Sequence, residues 1–224
     1  MAEAAEENRR RFVAAHTVLR SPPLVPEIAL HLASEVMTLW RETELNNAAV
    51  AASLGGLPPP YWAFAWPGGS ALARYVLDSP DAVAGRRVLD FGAGSGLVAI
   101  AAAKRGAHHV TAAELDPLSC AAIALNAGAN NVSIEIESRD VIGHVPAWDT
   151  VLAGDMCYER PLAEKLTAWL RVLAAAGVRV LIGDPGRTYF PQRGTERLAT
   201  YTVPTSLDLE DRDVRETSVY AVLP

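Results

Sequence analysis

The sequence predicts an α/β protein: a doubly wound sheet with an antiparallel last strand, preceded by an N-terminal helical extension. Three observations carry this. From residue 88 onward, strand-like apolar runs alternate with helical stretches, the order that builds a parallel sheet covered on both faces. Arg86 to Gly96, RRVLDFGAGSG, leads a short apolar strand into a glycine turn and an Ala-rich helix. The final strand-like runs, 201–203 and 219–222, flank a charged turn at 208–216 and read as an antiparallel pair. The chain divides into an extension, residues 1–57, and an α/β domain, residues 58–224.

Half of the 224 residues are hydrophobic, enough to bury one sizeable core with a small appendage. The net charge of -6 argues against a nucleic-acid partner, which shows as a basic surface or stripe, and is compatible with a basic protein partner. Cys120 and Cys157 cannot build a disulfide framework, and no His/Cys cluster has metal-ligand spacing, so no metal is expected. The N-terminal MAEAAEENRRR is charged, with no continuous apolar core behind it, and its glutamates count against an organelle transit peptide. No apolar run approaches the ~20 residues of a membrane span. The expectation is a soluble, intracellular chain.

Residues 4–19 hold Phe12, Ala15 and Leu19 at helical spacing, and Ser21-Pro22-Pro23 ends that stretch. Residues 26–41 repeat the pattern with Ile28, Leu32, Val36 and Leu39. This pair is either a packing appendage or a lid that recognises substrate. Residues 57–65, LPPPYWAFA, read as an ordered loop, followed by a helix to about residue 77 with Pro67 suited to its first turn. Tyr61 and Trp66 are either core aromatics or the wall of a ligand pocket. Strands are expected at 88–91, 109–114, 132–137, 148–153 and 178–182, and helices at 97–105, 117–126, 159–173 and 193–198.

The glycine turn carries the first functional signal. Gly92, Gly94 and Gly96 separate a buried strand from a helix N-terminus, whose free N–H groups beside bare backbone let a nucleoside-bearing ligand lie close. Dinucleotide-binding proteins also use a glycine turn. Here the spacing is G-x-G-x-G, and Asp90 precedes the first glycine by two residues. An anion there suits a cationic amino-acid moiety better than a pyrophosphate. This stretch resembles motif I of the seven-β-strand S-adenosylmethionine-dependent methyltransferases. The resemblance implies a Rossmann-like, seven-stranded sheet and S-adenosylmethionine as cofactor. Glu114, 18 residues beyond Gly96, stands where a carboxylate can accept both hydroxyls of a ribose, whereas Asp116-Pro117 reads as a helix N-cap. Asp140 and Val141 follow the third strand, where the carboxylate can accept from the adenine amino group and the Val141 N–H can donate to the ring.

The second signal lies at the carboxyl ends of the next two strands, the edge where open α/β sheets hold ligands. Gly154-Asp155-Met156-Cys157-Tyr158-Glu159 ends the fourth strand, and Gly183-Asp184-Pro185-Gly186-Arg187 ends the fifth. A methyl acceptor that is an amine must be neutral, and a lysine with pKa ~10.4 costs about 4–5 kcal/mol to deprotonate at pH 7. Asp155 and Tyr158 are positioned to orient such an amine, with Asp155 also beside the cofactor. Tyr61, Trp66 and Tyr158 would wall the acceptor pocket, Trp66 facing the cofactor as well. Asp155 has one competing use, as a cap of the following helix. The Asn-Pro-Pro-aromatic motif used on planar nitrogens is absent, as is a Pro-Cys nucleophile, so Cys157 reads as packing.

Four segments taken together narrow the resemblance. PYWAFAWPGGSALARYVLDSP, VLDFGAGSG, GDMCYE and VLIGDPGRTYF, spanning about residues 58–191, are similar to the lysine methyltransferases of the electron-transfer flavoprotein β subunit. That family carries an Asp-x-x-Tyr signature after the fourth strand. The resemblance implies N-methylation of lysines on a folded protein, near the surface where the flavoprotein meets its dehydrogenases. Asp155 and Tyr158 inherit the signature roles by position. Cys157 departs from the pattern, standing where a bulky aromatic is expected. The Ala- and Arg-rich composition suggests a bacterial, cytoplasmic version, taken as a monomer. Rival readings are a methyltransferase acting on ribosomal protein or small-molecule amines, a non-catalytic nucleoside-binding module, and a dehydrogenase.

Overall fold

The computed structural model describes residues 2–34, 38–40, 58–144, 147–205 and 210–224. In chain order these form α1 (Ala2–His16), β1 (Thr17–Arg20), β2 (Leu30–Ala33), α2 (Pro67–Asp78), β3 (Arg87–Phe91), α3 (Leu97–Lys104) and β4 (His109–Ala113). There follow α4 (Pro117–Ala129), β5 (Glu135–Glu137), β6 (Thr150–Gly154), α5 (Arg160–Ala175), β7 (Arg179–Asp184), β8 (Thr195–Pro204) and β9 (Val214–Val222).

Seven strands make one sheet in the order β5-β4-β3-β6-β7-β9-β8. The first five are parallel, while β9 pairs antiparallel with both β7 and β8. The strand order reverses beside β3, which lies between β4 and β6. A crevice therefore opens above its carboxyl end.

Alternation along the strands divides the core between the two faces. Val88, Leu152 and Leu181 pack with Leu72, Val76 and Val98 of α2 and α3. Their neighbours Leu89, Val151 and Val180 pack on the other face with Leu166, Trp169 and Leu173 of α5. These side chains are at most 6% exposed, so the carboxyl ends of β3, β6 and β7 form a stiff edge.

One expected helix ends early, and two others give way to strands over part of their length. The helix predicted to residue 19 stops at His16, and Leu19 stands 53% exposed in β1. Residues 30–33 of the predicted 26–41 helix form β2, paired antiparallel with β1. Ile28 and Leu32 fit a helical spacing, but with Leu30 they also fit a period of two, and all three are buried. The choice is made by α4: Asn130 accepts from the Ala29 N–H, and Asn126 accepts from the His31 N–H. Val36 and the expected boundary at residue 57 lie outside the described residues. The helix expected at 193–198 is instead the start of β8, whose charged residues Glu196 and Arg197 lie on an exposed sheet edge. Charges there are usual for an edge strand and misread easily as a helix face. The remaining elements fall where expected, with β5 shorter than predicted.

Candidate active site

A cavity of about 290 Å³ opens at the carboxyl edge of β3, β4 and β6 and is roofed by Pro58, Pro59, Tyr61 and Trp66. Gly92 and Gly94 line one wall with Glu114, Asp116 and Ser119, while Gly154, Asp155, Met156, Tyr158 and Arg187 line the other.

On the glycine wall, Gly94 has φ +52, a left-handed conformation that disfavours a side chain, and a Cβ there would meet nothing within 4 Å. Its backbone is thus bare toward open space. Its N–H donates to Glu114 Oε2 at 3.0 Å. Glu114 Oε1 accepts from the N–H groups of Leu115 (2.8 Å) and Asp116 (3.1 Å). A carboxylate has about four acceptor positions, so one on Oε2 is left for a ligand hydroxyl. Burial pushes the Glu114 carboxyl above its ordinary range, and the three amides draw it back. Asp116 accepts from the N–H groups of Leu118 and Ser119 and caps α4, the structural role expected of it.

Four expected cofactor residues are not among those lining the cavity. Asp90 is 2% exposed, and its Oδ2 accepts from the Ala99 N–H at 2.9 Å, tying β3 to the first turn of α3. Burial pushes its carboxyl up to about 7, against the pull of that amide. Gly96 is the N-cap of α3. Asp140 accepts from the Ile142 N–H and from Lys165 Nζ at 2.8 Å, and Val141 is buried against the α5 side of the core. Asp90 and Asp140 thus make their hydrogen bonds within the scaffold, and the Val141 side chain packs in the core.

The opposite wall is built by close backbone contact. A Cβ on Gly183, at the end of β7, would collide with the carbonyl oxygen of Gly68 in the first turn of α2. Side-chain-free positions let α2 press onto the strand ends, and this brings the Gly69 N–H to Asp155 Oδ2 at 2.9 Å. Asp155 has φ +58, and its side chain turns back to the N-terminus of α2. It does not cap α5, whose N-cap is Glu159.

Arg187 was not foreseen as a site residue. It reaches Asp155 Oδ1 through Nη2 (2.9 Å) and Nε (3.3 Å). The same guanidinium donates to Glu210 at 2.7 Å, and Glu210 also accepts from Arg215 at 3.0 Å. Burial pushes the Asp155 carboxyl up, and the guanidinium with the Gly68 and Gly69 amides opposes this. The Arg187 guanidinium carbon lies 5.9 Å from the Trp66 ring centroid. Tyr61 packs between Trp66 (5.9 Å) and Tyr158 (5.8 Å), so the expected aromatic wall is assembled. Cys157 is 2% exposed in the core, as expected for packing, and burial pushes its thiol up to about 12. The turn after β7 was a legible sign of Arg187, since it shares the ligand edge. Nothing near Glu210 in the sequence marks it.

The model of the ribosomal protein L11 methyltransferase (PrmA) family matches residues 71–156. The electron transfer flavoprotein beta subunit lysine methyltransferase of Xenopus laevis is 38% identical over 222 residues, covering 96% of this chain and 87% of that protein. Its counterpart in Homo sapiens is 37% identical over 214 residues, 92% of this chain and 79% of that protein. Among solved structures, the magnesium protoporphyrin IX methyltransferase of Synechocystis PCC 6803 with bound SAM has TM-score 0.51 and 14% identity, covering 84% of this chain and 92% of that one. The last likeness is one of fold.

Proposed function

The chain belongs to the family of electron transfer flavoprotein β-subunit lysine methyltransferases, and from that premise we propose that it moves a methyl group from S-adenosylmethionine to lysine side chains of that subunit. The observation that carries this reading is the cavity itself, lined by glycine backbone and the Glu114 carboxylate on one side and by Asp155 with Tyr61, Trp66 and Tyr158 elsewhere. S-adenosylmethionine, when bound, supplies a methyl group already activated by its sulfonium, so no metal or covalent nucleophile is needed from the protein.

The residues on the glycine wall fit that group. Gly94 allows close approach, Gly92 lines the cavity against Met156, and Glu114 takes a ribose hydroxyl at its remaining acceptor position. Trp66 covers the ligand, and Asp155 lies at the junction of the two walls. Asp90 and Gly96 act one layer back, by holding the turn. Asp140 and Val141 are assigned to the adenine, for which Asp140 must share or release Lys165.

On the other wall, Tyr61, Trp66 and Tyr158 strip water from an entering lysine and weaken its ammonium form. Asp155 accepts from the amine and aims its lone pair, with the Tyr158 hydroxyl at the mouth as the second orienting group. The partner is a folded protein, supported by the net charge of -6 and the relatives' names. Residues 1–57 serve its recognition and residues 58–224 the chemistry. A monomer in a bacterial cytoplasm completes the reading, on composition alone. No nucleic-acid or membrane partner is assigned; among the described residues no helix is long and apolar enough to cross a membrane.

Mass spectrometry of purified electron transfer flavoprotein after incubation with enzyme and donor tests the reading. Lysines of the native β subunit should gain additions of about 14 Da per methyl, and short peptides carrying the same lysines far fewer. Ribosomal protein L11, included because the family model points to it, should gain none. Modification of L11 with an untouched flavoprotein would overturn the substrate.

A further inference from the structure

Resting on the lysine methyltransferase reading, we propose that Arg187 is a positioning residue that cancels the charge of Asp155, so that the pocket admits the substrate lysine as a neutral amine instead of trapping its ammonium. A methyl acceptor must bring a nitrogen lone pair, which an ammonium lacks. An isolated carboxylate in a partly dry cavity is a strong ammonium site, because Coulomb attraction grows as the local dielectric falls. Asp155 without a partner would therefore hold lysine in its unreactive form.

The geometry removes that trap without removing the acceptor. Asp155 and Arg187 side chains are 11% and 21% exposed, and two guanidinium nitrogens face the one oxygen Oδ1. Oδ2 accepts the Gly69 N–H beside the Gly68 amide, and Asp155 lines the cavity that an amine N–H would enter. The pair is neutral, yet it still accepts hydrogen bonds.

Arg187 is itself fixed from behind. Asp184 Oδ1 accepts the N–H groups of Gly186 and Arg187, both at 2.7 Å, which sets the turn that aims the side chain. Glu210, 4% exposed at its side chain, holds the far face of the guanidinium and shares its own charge with Arg215. The titratable groups around Asp155 are Arg187 and Asp184 on the β7 turn, Cys157 on its own loop, and Glu210 beyond Arg187, while Glu114 and Tyr158 also line the cavity. Glu210 divides the charge that Arg187 can give to Asp155. Removing either partner should therefore push the pocket in opposite directions.

The test uses Arg187→Gln, Arg187→Lys and Glu210→Gln in the full chain. Native flavoprotein is titrated into each protein with S-adenosylhomocysteine present, in buffers of different ionisation heat, which counts protons released on binding. At about pH 7.5 the wild type should release about one proton per lysine engaged, and Arg187→Gln close to none, with affinity no weaker. Single-turnover methylation by Arg187→Gln should fall about tenfold and recover as pH rises by about one to two units. Arg187→Lys should resemble the wild type in proton release, and Glu210→Gln should move the acid limb of the rate profile downward. Proton release by Arg187→Gln equal to the wild type, or a rate deficit constant with pH, would overturn the proposal. If circular dichroism shows that Arg187→Gln does not fold, the direction of the Glu210→Gln shift decides. A wild type that leaves the flavoprotein unmethylated would overturn the functional reading and this one with it; an active wild type with unmoved variants overturns only this one.

Discussion

The two walls of the cavity hold their carboxylates by different means. Glu114 is held by three backbone N–H groups from residues 94, 115 and 116, all belonging to the turns that end β3 and β4. Asp155 is held by the first-turn amides of α2, Gly69 at 2.9 Å, and by the guanidinium of Arg187, which is anchored in turn by Glu210. Amides position a carboxylate without supplying an opposite unit charge, and burial still pushes the Glu114 carboxyl above its ordinary range. A guanidinium positions and neutralises together, so Asp155 offers direction with little net field. A wall that grips a ribose benefits from the first arrangement, and one that must receive a neutral amine benefits from the second.

Removing the Asp155 charge should break the comparison most severely. Asp155→Asn keeps an oxygen for the Gly69 N–H but loses the carboxylate charge and the ion pair, turning an NH₂ toward Arg187. Its turnover should drop on the order of 100-fold, the usual weight of a positioned acid–base group, with S-adenosylmethionine affinity within a few-fold by calorimetry. Glu114→Gln acts on the other wall. One of its oxygens becomes an NH₂ that cannot accept from the turn amides, and the charge is lost. Hydrogen bonds to charged groups contribute about 1.5–3 kcal/mol, so cofactor affinity should weaken about 10- to 100-fold in the same assay.

Asp90→Asn should have the smallest effect on function, because the asparagine oxygen can still accept from Ala99. Its effect is on stability against pH. The Asp90 carboxyl sits at about 7 in the fold against 3.8 when unperturbed. Between these values the folded state binds the extra proton, so wild-type stability from this group falls as pH rises through the window and is unaffected below it. Asparagine does not titrate. Denaturant midpoints should therefore favour Asp90→Asn over the wild type progressively from about pH 4 to about pH 7. A constant difference across that range would place the Asp90 charge outside the core.

The same contrast explains what the sequence disclosed. The glycine wall is local: strand, turn and helix lie within Arg86 to Lys104, and Glu114 with Asp116 follows one strand later, so the cap Asp116 could be told apart from the cavity-lining Glu114. Asp90 and Asp140 lie near the same edge in sequence, and their side chains are bonded to Ala99 and to Ile142 and Lys165. The other wall is assembled from distant segments. Gly69 lies 86 residues from Asp155, and Arg187 lies 32 residues beyond it. Asp155 and Tyr158 were legible only as a signature at a strand end, and their partner Arg187 only as part of a turn. The N-terminal hairpin failed for a related reason. Ile28 and Leu32 fit either period, and the deciding bond to Asn130 spans 101 residues.

Single-turnover methylation of native flavoprotein at saturating S-adenosylmethionine, with wild type, Glu114→Gln and Asp155→Asn side by side, tests the division between the walls most directly. Glu114→Gln should approach the wild-type rate once the cofactor is saturating, because its loss lies in binding. Asp155→Asn should stay on the order of 100-fold slow at every cofactor concentration, because its loss lies at the acceptor. Recovery of Asp155→Asn by added cofactor, or a Glu114→Gln rate that stays low at saturation, would contradict the assignment of one wall to the cofactor and the other to the amine.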